Sequence, residues 1–248
     1  MLALGGFVAA RIGDRAFRED THAPAHPLAD TVELHADRVM GEVRQMVSSS
    51  EHRQSVPPEQ LRRRVDNLKP GSYIDDIIAA QDSSLYRWPE RVVGAVQVWI
   101  EPWSSAAAWD PSYVELARTA FGEWNDAGFP LRFNFLLDSS SADVEVRWRE
   151  RFPPGDGQRI GVTERIHTSE FLIASARIEI ATHDSAGRRI PARMVGGTLR
   201  HEIGHALGLN HANDPTSVMY RESAATTISP TDRATLRLLY LVPPGSLR

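Results

Sequence analysis

The spacing of apolar positions along the chain changes period, and each change marks a structural element. Between residues 28 and 47, Leu28, Val32, Val39, Val43 and Val47 fall near helical spacing, because positions three and four apart share one face of a helix. Leu61, Val65 and Leu68 repeat that pattern over 58–68, which stops at the breaker Lys69-Pro70-Gly71. Ile74, Ile77 and Ile78 fit a third, short helix over 73–80. After Trp88-Pro89 the period falls to two. Val93, Val96, Val98 and Ile100 predict a strand over 92–100, and 131–136, 142–148 and 174–181 alternate in the same way. Residues 158–166 form a weaker strand candidate, interrupted at Gly161. Asp110-Pro111 supplies an N-cap and a first-turn proline, and Val114, Ala117, Phe121 and Trp124 make the buried stripe of the helix that follows. Residues 194–207 read as helix. A last helix starts at Ser229-Pro230-Thr231-Asp232 and runs to about residue 241.

This order predicts an α/β (α+β) domain over 86–248, preceded by a helical extension over 1–85 with a linker at 16–27. Composition narrows the partners. The chain has 248 residues, 42% hydrophobic and 24% charged, with a formal net charge of -4, so nothing electrostatic points to nucleic acid. The absence of cysteine excludes disulfides, a thiolate metal site and a cysteine nucleophile. Met1 to Ala10 are apolar and are followed by Arg11 and Arg15. A secretory signal wants basic residues ahead of the apolar run, and a spanning helix wants about 20 apolar residues. The stretch over 1–15 is therefore either a plain N-terminus or the remnant of an export signal or anchor, and only the second implies membrane association. No long exposed apolar stripe asks for a partner subunit, so a monomer is expected.

The candidate chemistry lies in His201-Glu202-Ile203-Gly204-His205. Two histidines four apart on a helix can reach one metal ion, and the glutamate beside the first can hydrogen-bond a water on that ion. Gly208 and His211 follow three and six residues after His205. A glycine tolerates the left-handed turn that ends the helix and lets a third histidine swing back. Three neutral imidazoles and one open position suit a catalytic Zn2+.

The run from His201 to His211 resembles the long zinc signature of the metzincin metallopeptidases, and Ser217-Val218-Met219-Tyr220 follows at the distance of that clan's methionine turn. Within the clan the stretch is most similar to the matrixins, as are Ile228-Ser229-Pro230-Thr231-Asp232 and Leu238-Leu239-Tyr240. The resemblance covers about residues 87–242. It implies a twisted, mostly parallel five-stranded sheet with one antiparallel edge strand, an active-site helix and a C-terminal helix. It also implies a zinc endopeptidase with ligands His201, His205 and His211 and with Glu202 as general base and acid toward a zinc-activated water. Met219 would form a floor under the metal and Tyr220 would line a substrate pocket. The strand at Gly161, Val162 and Thr163 would bind an extended peptide by strand addition. An extracellular, periplasmic or cell-envelope location goes with such an activity.

The departures from that pattern are Ala212, where matrixins carry serine or threonine, and Arg221, where they carry proline. Animal matrixins hold a second, structural zinc, for which His167 and His183-Asp184 are too few ligands. Ca2+ near Asp156 or Asp184 is compatible with the sequence, although no spacing demands it. Two readings of the extension stand. One is a prosegment that brings Asp75 or Asp76 toward the zinc, and the other is a permanent arm on the back of the domain. Rival functions are a zinc-holding module without catalysis and a hydrolase of non-peptide amides.

Overall fold

The structure is a computed structural model that describes residues 56–89, 95–153, 159–222 and 225–248. The N-terminal stretch 1–15, the linker 16–27, the helix expected over 28–47 and the calcium candidate Asp156 lie outside the described residues.

The described chain opens with helix α1 (Pro58–Leu68), which has proline in its first turn and buries Leu61 and Val65. Helix α2 (Ile74–Ala80) buries Ile74 and Ile77. Strand β1 (Ser84–Leu85) then pairs antiparallel with β7 (Gly245–Ser246) near the C-terminus. Leu61, Ile74 and Ile77 belong to the same hydrophobic cluster as Leu236, Leu239 and Tyr240 of the C-terminal helix. The arm is therefore part of the core. Burying each such side chain contributes roughly 1.5–3 kcal/mol.

Five strands form the main sheet: β2 (Val96–Ile100), β3 (Phe133–Leu136), β4 (Val144–Arg149), β5 (Gly161–His167) and β6 (Ile173–Ala181). Their order is β3-β2-β4-β6-β5, parallel throughout except that β5 runs antiparallel to β6 at the edge. This is the expected sheet. The glycine read as an interruption instead opens the edge strand. Gly161 pairs with Ile180, and a Cβ there would come within 2.5 Å of Thr198 Cγ2 and 2.7 Å of Glu202 Oε1. Glycine is needed because the next layer presses on the strand.

That layer is helical. Helix α3 (Ser112–Asn125) packs on the sheet through Phe121, whose ring meets Phe133 and Phe135 edge-on at 4.8 and 5.9 Å. Helix α4 (Ala192–Ala206) carries His201 and His205 and is tied to α3 and to the segment that follows β1. Trp124 Nε1 donates to the Arg200 carbonyl at 2.9 Å, and Trp88 Nε1 donates to the Ala206 carbonyl at 2.9 Å. Helix α5 (Pro230–Leu241) begins with a capping box between Ser229 and Asp232. Among the described residues no helix is long and apolar enough to cross a membrane.

Candidate metal centre

His201 and His205 lie one turn apart on α4, and the turn beyond it returns His211 to them. Gly208 makes that return possible. Its φ of +104° is the left-handed conformation, and a Cβ there would collide with the Tyr86 carbonyl. One ligand atom from each of the three histidines lies within 4.8 Å of the others, and no other such metal-holding group occurs among the described residues.

The proton positions on two rings follow from their partners. His201 Nδ1 donates to the Val218 carbonyl at 2.7 Å, and His205 Nδ1 donates to the Leu209 carbonyl at 3.0 Å. A ring that donates from Nδ1 presents a lone pair at Nε2. The two Nε2 atoms face each other at 3.1 Å. Two lone pairs aimed at one point need a cation between them, and outer carbonyls that fix the ring tautomer are what zinc-binding histidines use. Burial, above all, holds all three imidazoles below their usual pKa: His201 is lowered, His205 is well below, and His211 comes down to about 4. They are neutral at pH 7, the form that ligates zinc. The donor set therefore fits Zn2+.

Glu202 points into the sheet side of the site and is only 5% exposed. Burial pushes its carboxyl up to about 7, against the opposing pull of the Thr163 hydroxyl and Arg159. Thr163 Oγ1 lies 2.7 Å from Glu202 Oε2 and 2.8 Å from the Glu202 carbonyl. Two residues on, Arg165 donates to the His205 carbonyl at 3.0 Å. Successive inward positions of β5 thus meet α4. Gly161 makes room for Glu202, Thr163 bonds it, and Arg165 places a cation at the helix C-terminus, where the helix dipole favours it.

The turn after the histidines is bonded to the start of α5. Buried Asp232 accepts from the Val218 amide at 3.0 Å, from the Ser229 amide at 2.8 Å and from the Ser217 hydroxyl. The next group along, the Val218 carbonyl, is the one that fixes His201. Met219 is fully buried against Gly204, where a side chain would meet both its sulfur and the Trp124 ring. Tyr220 lines a cavity of about 490 Å³ together with Asp76, Ala80, His211, Asn213 and Arg221.

Other sequence candidates are placed elsewhere. His167 stacks on Tyr86 with ring centroids 4.4 Å apart, and His183 Nδ1 lies 2.9 Å from Thr182 Oγ1. Asp184 accepts from the Ala186 and Arg188 amides at 3.0 and 2.9 Å, and so closes its own turn. Neither Asp75 nor Asp76 joins the histidines. Asp75 pairs with Lys69, whereas Asp76 bonds Asn213. The arm is not confined to the back of the domain, because α2 reaches the His211 loop. Sequence reading gave no role at the site to Arg165, and it expected Asp76 near the metal itself, whereas Asp76 bonds Asn213. Asp232 was visible only as a helix start, because its second role needs a partner fourteen residues away.

A family model described as matrixin, Peptidase_M10, matches residues 102–241, more than half of the chain. A protein of Heliothis virescens ascovirus 3e, provisionally named a matrix metalloproteinase, is 28% identical over 126 residues, which is 43% of this chain and 25% of the viral protein. The chain thus spans about a quarter of that relative's length, 25%. The matched residues contain the three histidines, Glu202, the Met219 turn and four of the five strands of the main sheet, and the chain belongs to the matrixin family.

Proposed function

We propose that this chain is a zinc-dependent endopeptidase that binds its substrate as an extended strand. The observation that carries the reading is the convergence of three imidazoles beside one buried carboxyl group. His201, His205 and His211 would hold the ion. When bound, zinc supplies the Lewis acidity that acidifies water and polarises a carbonyl. Glu202, next to His201, accepts the proton of the attacking water and delivers it to the leaving amine. A carboxyl raised to about 7 is matched to both transfers near neutral pH. Thr163 donates to one Glu202 carboxyl oxygen, so its hydroxyl orients the base.

Two features support a peptide as substrate. Strand β5 ends the sheet, and among the described residues no strand pairs with its outer edge. Main-chain groups there can add a further strand, at Gly161, Val162 and Thr163. The cavity lined by Tyr220 beside His211 can receive a side chain. An extended peptide fits an edge strand beside a pocket better than a compact amide does. We place the working enzyme outside the cell or in its envelope, as a monomer.

The test uses one purified sample. Zinc content is measured together with cleavage of a quenched-fluorescent peptide library, with and without a chelator, and alongside Glu202→Gln. One zinc per chain and cleavage abolished by both treatments, with zinc retained in the variant, is the expected result. Glu202→Gln with near-normal turnover removes Glu202 from its role. Zinc without cleavage of any peptide leaves a non-catalytic zinc module.

A further inference from the structure

The three histidines are held in different ways. His201 and His205 each have a carbonyl on Nδ1, whereas the His211 ring has no hydrogen-bond partner among the described residues. Its direction is therefore set by the backbone that carries it. Three sets of bonds fix that backbone. Asn210 Oδ1 accepts from the His211 amide at 2.7 Å, and the Ala212 amide donates to the Met219 carbonyl at 3.0 Å. The third set comes from the arm. Asp76 accepts from the Asn213 amide at 2.9 Å through Oδ2 and from Asn213 Nδ2 at 2.8 Å through Oδ1.

We infer that Asp76 is a positioning residue of the metal centre, clamping the 210–213 loop from the N-terminal arm and thereby fixing the third ligand. This rests on the zinc reading proposed above. The clamp has a firm base. Ile74 and Ile77 on either side of Asp76 are fully buried, and the Tyr73 amide donates to Thr235 Oγ1 of α5 at 3.0 Å. Both carboxylate oxygens are engaged by one residue, which fixes orientation as well as distance. A loop ligand without a ring partner gains most from such a hold. A group bonded directly to a ligating histidine is typically worth about 10- to 100-fold in metal affinity, and a clamp two residues along the backbone belongs at the low end of that range. The arm thus acts on the metal without touching it, and Asp76 serves the site by a route other than ligation.

The experiment measures zinc affinity of the full chain by competition with a chromophoric chelator. Coordination geometry is followed by the visible absorption of the cobalt(II)-loaded protein. Asn213→Asp sets one carboxylate against another. It is expected to weaken zinc binding about 10-fold and to lower the intensity of the cobalt bands. Adding Asp76→Asn to that variant keeps an oxygen at residue 76 for the residue-213 amide and rebuilds the side-chain bond with donor and acceptor exchanged. The double variant should return to within roughly threefold of wild type, the behaviour of two residues coupled in a mutant cycle. Unchanged affinity in Asn213→Asp overturns the inference. A loss that the second substitution does not repair also overturns it, because the damage is then general and not a broken clamp. A wild-type chain that binds no zinc fails at the first titration, and that failure belongs to the zinc reading itself.

Discussion

The candidate metal centre is built from two unlike halves. His201 and His205 stand on α4, where helical geometry sets their spacing and two carbonyls set their rings. His211 stands on a turn, and a bond across 137 residues of sequence holds the loop behind it. The helical half takes the spacing of its two histidines from local rules, and only the His201 ring leans on a distant group, the Val218 carbonyl. The loop half exists only once the arm, α5 and the Met219 turn have docked. A ligand set divided this way has two ligands defined by secondary structure and a third defined by tertiary packing. Metal affinity then reports on the integrity of the whole molecule, because binding energy at such a site is also folding energy.

The largest effect that can break this comparison comes from removing a ligand on each side. His205→Ala should leave the chain without stoichiometric zinc. It deletes a ligand and also orphans the Leu209 carbonyl behind it. His211→Ala should weaken zinc by on the order of 3 kcal/mol, a ligand's share of the roughly 10–16 kcal/mol of four-ligand sites, while the helical pair retains residual binding. Zinc titration of both variants decides. Equal losses would mean that the two halves are fixed alike.

A smaller effect separates the base from the ligands. Gly161→Ala drives a methyl group into Thr198 and the Glu202 side chain. Displacing the base by a fraction of an ångström should lower kcat roughly 10- to 100-fold, with zinc stoichiometry preserved because no histidine is touched. Paired zinc and turnover measurements check it. Wild-type turnover would show that the edge strand yields before Glu202 does, and that the strand is softer than the helix it covers.

How much of this could be read in advance follows the same division. The helix over 58–68, the helix over 230–241 and the alternating strands were legible because period and capping are local signals. The helical histidine pair was legible for the same reason, and the third histidine because a glycine breaks the helix before it. The two-residue pairing of β1 with β7 was not legible, since so short a strand carries no period. Gly161 was misread as a break because a strand pattern does not reveal which glycine faces a neighbouring helix. The bond from the Thr163 hydroxyl to Glu202 was not legible either, because its direction is set by the pleat and by sheet–helix packing together. Asp76 looked like a candidate for the metal itself. Its actual partner, Asn213, follows from the docking angle of α2, which sequence spacing does not encode.

The smallest expected effect concerns the stability of the metal-free chain and sharpens the account of the helical half. Burial raises the Glu202 carboxyl from 4.5 to about 7. A raised carboxyl means that the folded chain binds this proton more tightly than the unfolded chain does. Its stabilising contribution is therefore complete below about pH 4.5 and is lost as the pH climbs to about 7. Above that, the ionised group costs the folded state up to roughly 3 kcal/mol, at 1.36 kcal/mol per pKa unit. Glu202→Gln removes the charge and keeps the shape. In the metal-free protein it should raise the unfolding free energy at pH 8 by about 1–3 kcal/mol, and the gain should shrink toward zero as the pH falls to 4.5. The histidines titrate in part of the same range, but they are present in both proteins and cancel in the difference. Urea unfolding at several pH values, with chelator present, measures it. A gain independent of pH would place its origin in packing, and Glu202 would then be an ordinary buried acid whose charge the site tolerates without cost.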